Sequence, residues 1–309
     1  MTPPPWADPE LTGRGRLPMH AVPHPDVVPL DGTWRFQLLH RPTDMPEADG
    51  WRDIAVPGCW TMQDTPDVPI YTNVQMPFPD RPPNPPADNP TGVYERTFAV
   101  PASWAGRRVV LHVGAAESVL IAAVNGREVG ISKDSHLAAE FDVTSLVRAG
   151  ENEIRLTVVK WSDASFIEDQ DQWWHGGITR SVLLYATAPT YLADLVVDAG
   201  LDADLTTGTL AIDVGLGWPD GNDLEPGWRV EIAVDGAEAV SAVVPHAPPP
   251  PGGPGDWAVP GPPRRGILDL QSLAAAGVLT DPDDADRWRQ AWPVVKPPRV
   301  GRAVANLGV

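Results

Sequence analysis

"RRVVLHVGAAESVLIAAVNGREVG", residues 107–130, is the stretch that decides the fold. It is a β-branched and aliphatic run bounded by turn formers, with no helical period. Asn125-Gly126 is the dipeptide that two-residue type I′ hairpins favour, because both central positions need positive φ. A strand, a tight turn and a returning strand are expected here. Outward from it the reading repeats. In "LDGTWRFQLL" Trp34, Phe36 and Leu38 alternate with Arg35 and Gln37, the period of a half-buried strand. "WRDIAVPG" (51–58), "TGVYERTFAVP" (91–101), "NEIRLTVVKWS" (152–162) and "GGITRSVLLYAT" (176–187) continue the series. Strands at this spacing, with almost nothing helical between them, predict an antiparallel sandwich or jelly roll over residues 30–189.

One connection is far longer than the usual few residues: the run from Trp60 to Tyr94, which is dense in proline and therefore stiff. Residues 1–29 are proline-rich and unpatterned, an N-terminal strap. After residue 189 a second β-region begins. Leu210, Ile212, Val214 and Leu216 alternate, as do Val230, Ile232 and Val234, and Asp235-Gly236 offers another hairpin turn. About four strands fit between 190 and 243, where an immunoglobulin-like sandwich needs ~7, so only part of such a domain is expected. Residues 244–309 read as a Pro/Gly-rich linker and an irregular or disordered tail, with one short candidate helix over 267–276.

Composition narrows the classes. A formal charge of −18 over 309 residues opposes binding to phosphate backbones and anionic membranes, so neither nucleic acid nor a membrane surface is an expected partner. No stretch approaches the about 18 apolar residues of a spanning helix, and the N-terminus lacks the apolar core of a secretion signal. With one cysteine, Cys59, no internal disulfide can form, and a cytoplasmic setting is the simplest expectation. Cys59 itself reads as a small buried hydrophobe. Thirteen tryptophans against four tyrosines and five phenylalanines suit both sandwich cores and the apolar faces of sugar rings.

The chemistry concentrates in "EDQDQWWHGG", residues 168–177. Glu168, Asp169 and Asp171 could give part of an oxygen shell for a hard cation, could touch sugar hydroxyls beside Trp173 or Trp174, or could form a solvated acidic turn. Paired carboxylates hydrolyse glycosides, but across a gap of ~5 to 9.5 Å that neighbours on one short loop rarely span. The spacing fits neither an EF-hand nor a zinc site, and no nucleophile, phosphate-loop or dinucleotide motif occurs. In "PIYTNVQMP" Asn73, held between apolar and proline residues, could bridge sugar hydroxyls or simply make an Asx-turn.

Taken together, "LDGTWRFQLL", "VPGCWTMQ", "PIYTNVQMPF", "NPTGVYERTF" and the run from "VNGREVG" to "EDQDQWWHGGITRSVLL" resemble the N-terminal part of family 2 glycoside hydrolases, the large β-galactosidases. The resemblance covers about residues 14–190, with 191–240 similar to the opening of the next, immunoglobulin-like domain. It implies a jelly-roll sugar-binding domain followed by that second domain and then a (β/α)₈ barrel carrying two catalytic glutamates. By the same resemblance Asn73 and Asp171 contact the galactoside, Asp171 helps to ligate Na⁺, and Glu168 and Asp169 support the loop. The family's Mg²⁺ belongs to the barrel. A barrel needs ~200 residues or more, and residues 241–309 do not resemble one. The sequence therefore reads as a truncated or frame-shifted product or one piece of a split enzyme, without catalytic residues of its own. It would pair with a separate barrel chain or form a homo-oligomer. A free-standing galactoside-binding, lectin-like module or a subunit-assembly fragment is the alternative.

Overall fold

A computed structural model describes residues 3–73, 75–201, 208–219, 229–233, 240–243 and 304–308. The chain divides into two units, Met1–Met19 with His24–Ala188, and His20–Pro23 with Pro189–Val309. In chain order the first unit contains strands β1 (Gly13–Arg14), β2 (Val27–Pro29), β3 (Gly32–Leu39), β4 (Arg52–Val56), β5 (Gly58–Cys59), β6 (Ile70–Tyr71), β7 (Thr91–Val100) and β8 (Arg108–Val113). It continues with β9 (Ala116–Glu117), β10 (Val119–Val124), β11 (Arg127–Ser132), β12 (Ala139–Asp142), β13 (Gly150–Val159), β14 (Trp173–Trp174), β15 (Gly177–Ile178) and β16 (Val182–Thr187). Four short 3₁₀ turns are the helical elements among the described residues.

Two antiparallel sheets make the sandwich, one of seven strands in the order β1-β11-β10-β13-β7-β3-β4 and one of four in the order β12-β8-β16-β2. Their inner faces share one apolar cluster. Trp34, Phe36, Tyr94 and Leu156 from the larger sheet join Leu111, Phe141, Val182 and Leu184 from the smaller. The all-β class and the sandwich expected from the alternating runs are what the chain forms. The deciding hairpin is present too: Asn125 and Gly126 both have positive φ (49° and 77°), and Val124 pairs with Arg127 across the turn.

Within β3, strict alternation fails at Gln37. Gln37 should face water but is buried, because its amide takes the place of a partner strand's backbone: Nε2 donates to Glu47 O (3.1 Å) and Oε1 accepts from Glu47 N (2.6 Å). A buried polar group satisfied at both ends carries little desolvation cost.

The strap is fastened to both sheets. β1 pairs with β11, Leu17 N donates to Glu140 O, and the buried Lys133 ammonium donates to Asp8 O (2.7 Å) and to the Asp163 carboxylate. At the opposite side, the Gln63 side chain closes on β4: Ala55 N donates to its Oε1 (2.9 Å) and its Nε2 donates to Ala55 O (3.0 Å).

The second unit contains β17 (Tyr191–Leu201), β18 (Gly208–Gly217), β19 (Arg229–Ala233), β20 (Val240–Val243) and β21 (Val304–Gly308). β17 and β18 form one antiparallel sheet, and β20-β19-β21 another. Among the described residues four of these strands fall between 190 and 243, and Ile212, Val214 and Leu216 are buried in alternation. The Asp235-Gly236 turn, the candidate helix at 267–276 and the remainder of the proline-rich tract lie outside the described residues. Among the described residues no helix is long and apolar enough to cross a membrane.

Candidate functional site

The long Trp60–Tyr94 connection and the 163–177 loop come together beside the sandwich. A buried polar knot begins the junction. Lys160, 2% exposed at the end of β13, places its ammonium 2.8 Å from both oxygens of Asp67, and the Trp60 indole N–H donates to the same carboxylate at 2.7 Å. Burial pulls the Lys160 pKa down, while the hydrogen bond and charge of Asp67 act the other way and keep the ion pair together. At the far end of the connection, Asn89 exchanges two hydrogen bonds with the backbone of Trp161 (2.8 and 2.9 Å).

Between these anchors β6 and β14 form a two-residue ladder, Tyr71 opposite Trp173 and Ile70 opposite Trp174. Alternation along a strand sends the adjacent tryptophans to opposite sides. Trp174 is 9% exposed and packs edge-on against Trp161 (5.2 Å), which meets Phe78 (5.2 Å), which meets Phe166 (5.5 Å). Trp173 is 56% exposed and sits 5.5 Å from the ring of Tyr71, itself 50% exposed. Trp174 thus packs inward, while Trp173 stands largely in solvent.

The two glycines that close the run have geometric reasons. A Cβ on Gly176 would lie 2.2 Å from the Trp60 ring, and Gly177 has φ +141° with the Gly58 carbonyl 2.7 Å from where a Cβ would sit. The chain must lie flush against Trp60 here, and Trp60 N donates to Gly176 O (2.8 Å) to hold it.

Asp171 is exposed, and its Oδ1 accepts from the Tyr71 hydroxyl at 2.5 Å. That hydrogen bond, with the neighbouring carboxylate charge, raises the Tyr71 pKa. It also fixes one carboxylate oxygen and leaves Oδ2 without a protein donor among the described residues. Asn73 is exposed, two residues beyond Tyr71 on the same loop. Glu168 is tied to Ser135, accepting from Ser135 N (3.2 Å) and Ser135 Oγ (2.6 Å). Asp169 is partly buried, and among the described residues its Oδ1 is buried without a hydrogen-bond partner. No group of three or more His, Cys, Asp or Glu side chains among the described residues could hold a metal ion.

Sequence reading passes over several residues that shape this face. Tyr71, Asp67 and Lys160 are among them, as are Glu117 and His175. Glu117 lies beneath the loop with its pKa raised by burial, against the lowering effect of His136 and of the hydrogen bond from the His175 backbone N–H. The His175 Nδ1 is 2.9 Å from the Thr61 hydroxyl, and burial, with Lys160 nearby, lowers its pKa. Cys59 is partly buried, and burial, then Glu117, pushes its thiol up to about 11, as an inert small hydrophobe requires.

The exposed Tyr71–Trp173 pair, the oriented Asp171 carboxylate and the exposed Asn73 are the kinds of group that can contact a carbohydrate. Residues 27–188 match the model of the glycosyl hydrolases family 2 sugar binding domain. The chain is 41% identical over 191 residues to a β-galactosidase of Psychromonas ingrahamii, covering 59% of this chain and 18% of that enzyme. It is 39% identical over 236 residues to a β-galactosidase of Aeromonas hydrophila, covering 67% and 23%. The chain thus spans about a fifth of the length of these curated relatives. Among solved structures, a Bacteroides uniformis β-glucuronidase shares the fold with TM-score 0.53 at 17% identity, covering 70% of this chain and 25% of that one. A Bifidobacterium dentium β-glucuronidase does so with TM-score 0.51 at 23% identity, covering 75% and 42%. On the extent of the match over residues 27–188, this chain belongs to glycosyl hydrolase family 2.

Proposed function

We propose that residues 27–188 are the sugar-contacting N-terminal domain of a β-galactosidase, contributing one wall of the galactoside pocket, while the groups that cleave the bond lie on a separate catalytic barrel. Asn73 offers an amide that can both donate to and accept from neighbouring hydroxyls, and Asp171 accepts from hydroxyls through the oxygen that Tyr71 does not occupy. Glu168, tied to Ser135, and Asp169 hold the loop that carries Asp171. The observation that carries this reading is the Tyr71–Asp171 hydrogen bond, which joins the Asn73 loop to the Asp171 loop at the exposed rim. A sodium ion beside Asp171 would offset the cost of enclosing its charge. Its other ligands would come from sugar, water or the rest of the enzyme.

On this reading the 309-residue polypeptide does not hydrolyse an aryl β-galactoside, and it binds methyl β-galactoside weakly. Backbone amide NMR during titration should show sugar-dependent shifts around Asn73 and Asp171. Asp171→Asn should weaken the apparent affinity at least about tenfold, the scale of a hydrogen bond to a charged group. Turnover by the purified chain that is abolished by one of its own carboxylate substitutions would place the cleaving groups here and overturn the proposal.

A further inference from the structure

The Tyr71 hydroxyl serves the wall by orienting Asp171, but the exposed ring faces of Tyr71 and Trp173 have no role in it so far. Tyr71 and Trp173 stand opposite each other in the β6–β14 ladder, half in water, with ring centroids 5.5 Å apart and planes inclined at 45°. Their neighbours in the same ladder, Ile70 and Trp174, turn to the other side, where Trp174 meets Trp161. Packing is therefore served by one tryptophan of the pair. The other remains exposed two residues from Asp171 and across from the tyrosine whose hydroxyl orients Asp171.

The aromatic pair is held rather than loose. Tyr71 is fixed at its hydroxyl by Asp171 and at its backbone by the ladder, and the ladder is flanked by the Lys160–Asp67–Trp60 knot and the Asn89–Trp161 clamp. A preorganised aromatic surface loses little conformational freedom on binding. An apolar plane suits the C–H face of a pyranose, and a carboxylate at its edge suits the hydroxyls around the rim of the same ring.

We infer that Trp173, with Tyr71, is a carbohydrate-binding shelf that takes the contiguous C–H face of a galactoside while Asp171 accepts from its hydroxyls. Trp173 is then a specificity-determining residue. Galactosides present a continuous apolar face that the equatorial 4-hydroxyl of a glucoside interrupts, and the shelf favours the former. This inference rests on the proposed galactoside wall, and the experiment separates the two.

The test follows the tryptophan indole N–H resonances of the full 309-residue chain during titration with methyl β-galactoside and, in parallel, methyl β-glucoside. The Trp173 indole signal, assigned by its loss in Trp173→Ala, should move with the galactoside. The signal of Trp51, which is covered by the Arg35 guanidinium at 4.5 Å, should not. Trp173→Ala should weaken galactoside binding between about 2- and 12-fold, the effect of one aromatic contact, with an unchanged melting temperature because the ring is exposed. Trp173→Phe should recover part of the loss. Galactoside binding unchanged in Trp173→Ala but lost in Asp171→Asn would overturn the shelf and leave the wall standing. So would a Trp173 signal that moves equally with both sugars. Absence of any galactoside-dependent shift, up to the solubility of the sugar, would overturn the wall and the shelf together.

Discussion

Phe36, at the centre of the sandwich, is enclosed by Tyr94 (ring centroids 4.8 Å) and Trp60 (6.2 Å), whereas Tyr71, on the rim, is enclosed on one side only and points its hydroxyl at an exposed carboxylate. The interior is stabilised by many non-directional contacts that sum over a continuous cluster. The rim is stabilised by a few directional ones: an ion pair, a two-residue ladder and an amide clamp. The difference teaches where change is tolerated. Loss in the interior is felt by the whole unit, and loss at an anchor of the rim is felt by the loops it holds.

The largest effect separating these regions is expected at Phe36. Phe36→Ala should cost about 3–5 kcal/mol of unfolding free energy in urea, the range for a buried aromatic truncated to a methyl. A loss under ~1 kcal/mol would mean that the cluster collapses around the gap and that the contrast is weaker than drawn.

Lys160→Ala comes next. It leaves the Asp67 carboxylate with the Trp60 indole as its donor among the described residues and removes the counter-charge, which should cost about 3 kcal/mol. Hydrogen exchange followed by mass spectrometry should place the extra opening in residues 61–73. Equal acceleration across the β7–β13 ladder would erase the distinction between anchor and interior.

The smallest effect concerns pH. Burial raises the Glu117 pKa in the folded chain above its unfolded value, so the folded state binds that proton more tightly. The associated stability is present at low pH and is lost as pH rises from the ordinary carboxylate range through the folded value. Glu117→Gln keeps an acceptor for the His175 N–H and has nothing to ionise. Its melting temperature should match that of the parent at acid pH and exceed it at neutral pH. A gap that widens instead toward acid would show that the Glu117 charge is favourable where it sits.

Much of this was legible in the sequence because it is local. Period-two runs specify which face of a strand is buried, and Asn125-Gly126 specifies a turn, so the sandwich follows from neighbouring residues alone. Gln37 shows the limit of the method: its burial depends on Glu47, ten residues away across a loop. The rim depends on longer separations still. Tyr71 meets Asp171 100 residues on, and Asp67 meets Lys160 93 residues on. Asn73 and Asp171 were reached through whole-motif resemblance rather than spacing. Tyr71 stood inside the quoted "PIYTNV" without a sign that its hydroxyl would be the link.

The outermost strands of the larger sheet carry a further consequence. An open strand offers its outward N–H and C=O groups to any passing polypeptide, which is how sheets from separate molecules join end to end. Here the flank at β11 ends in only two paired residues of the strap, and at β4 the Gln63 carboxamide occupies both outward groups of Ala55, as a neighbouring backbone would. One glutamine and a short piece of the N-terminus thus help this acidic chain to resist templating its own aggregation.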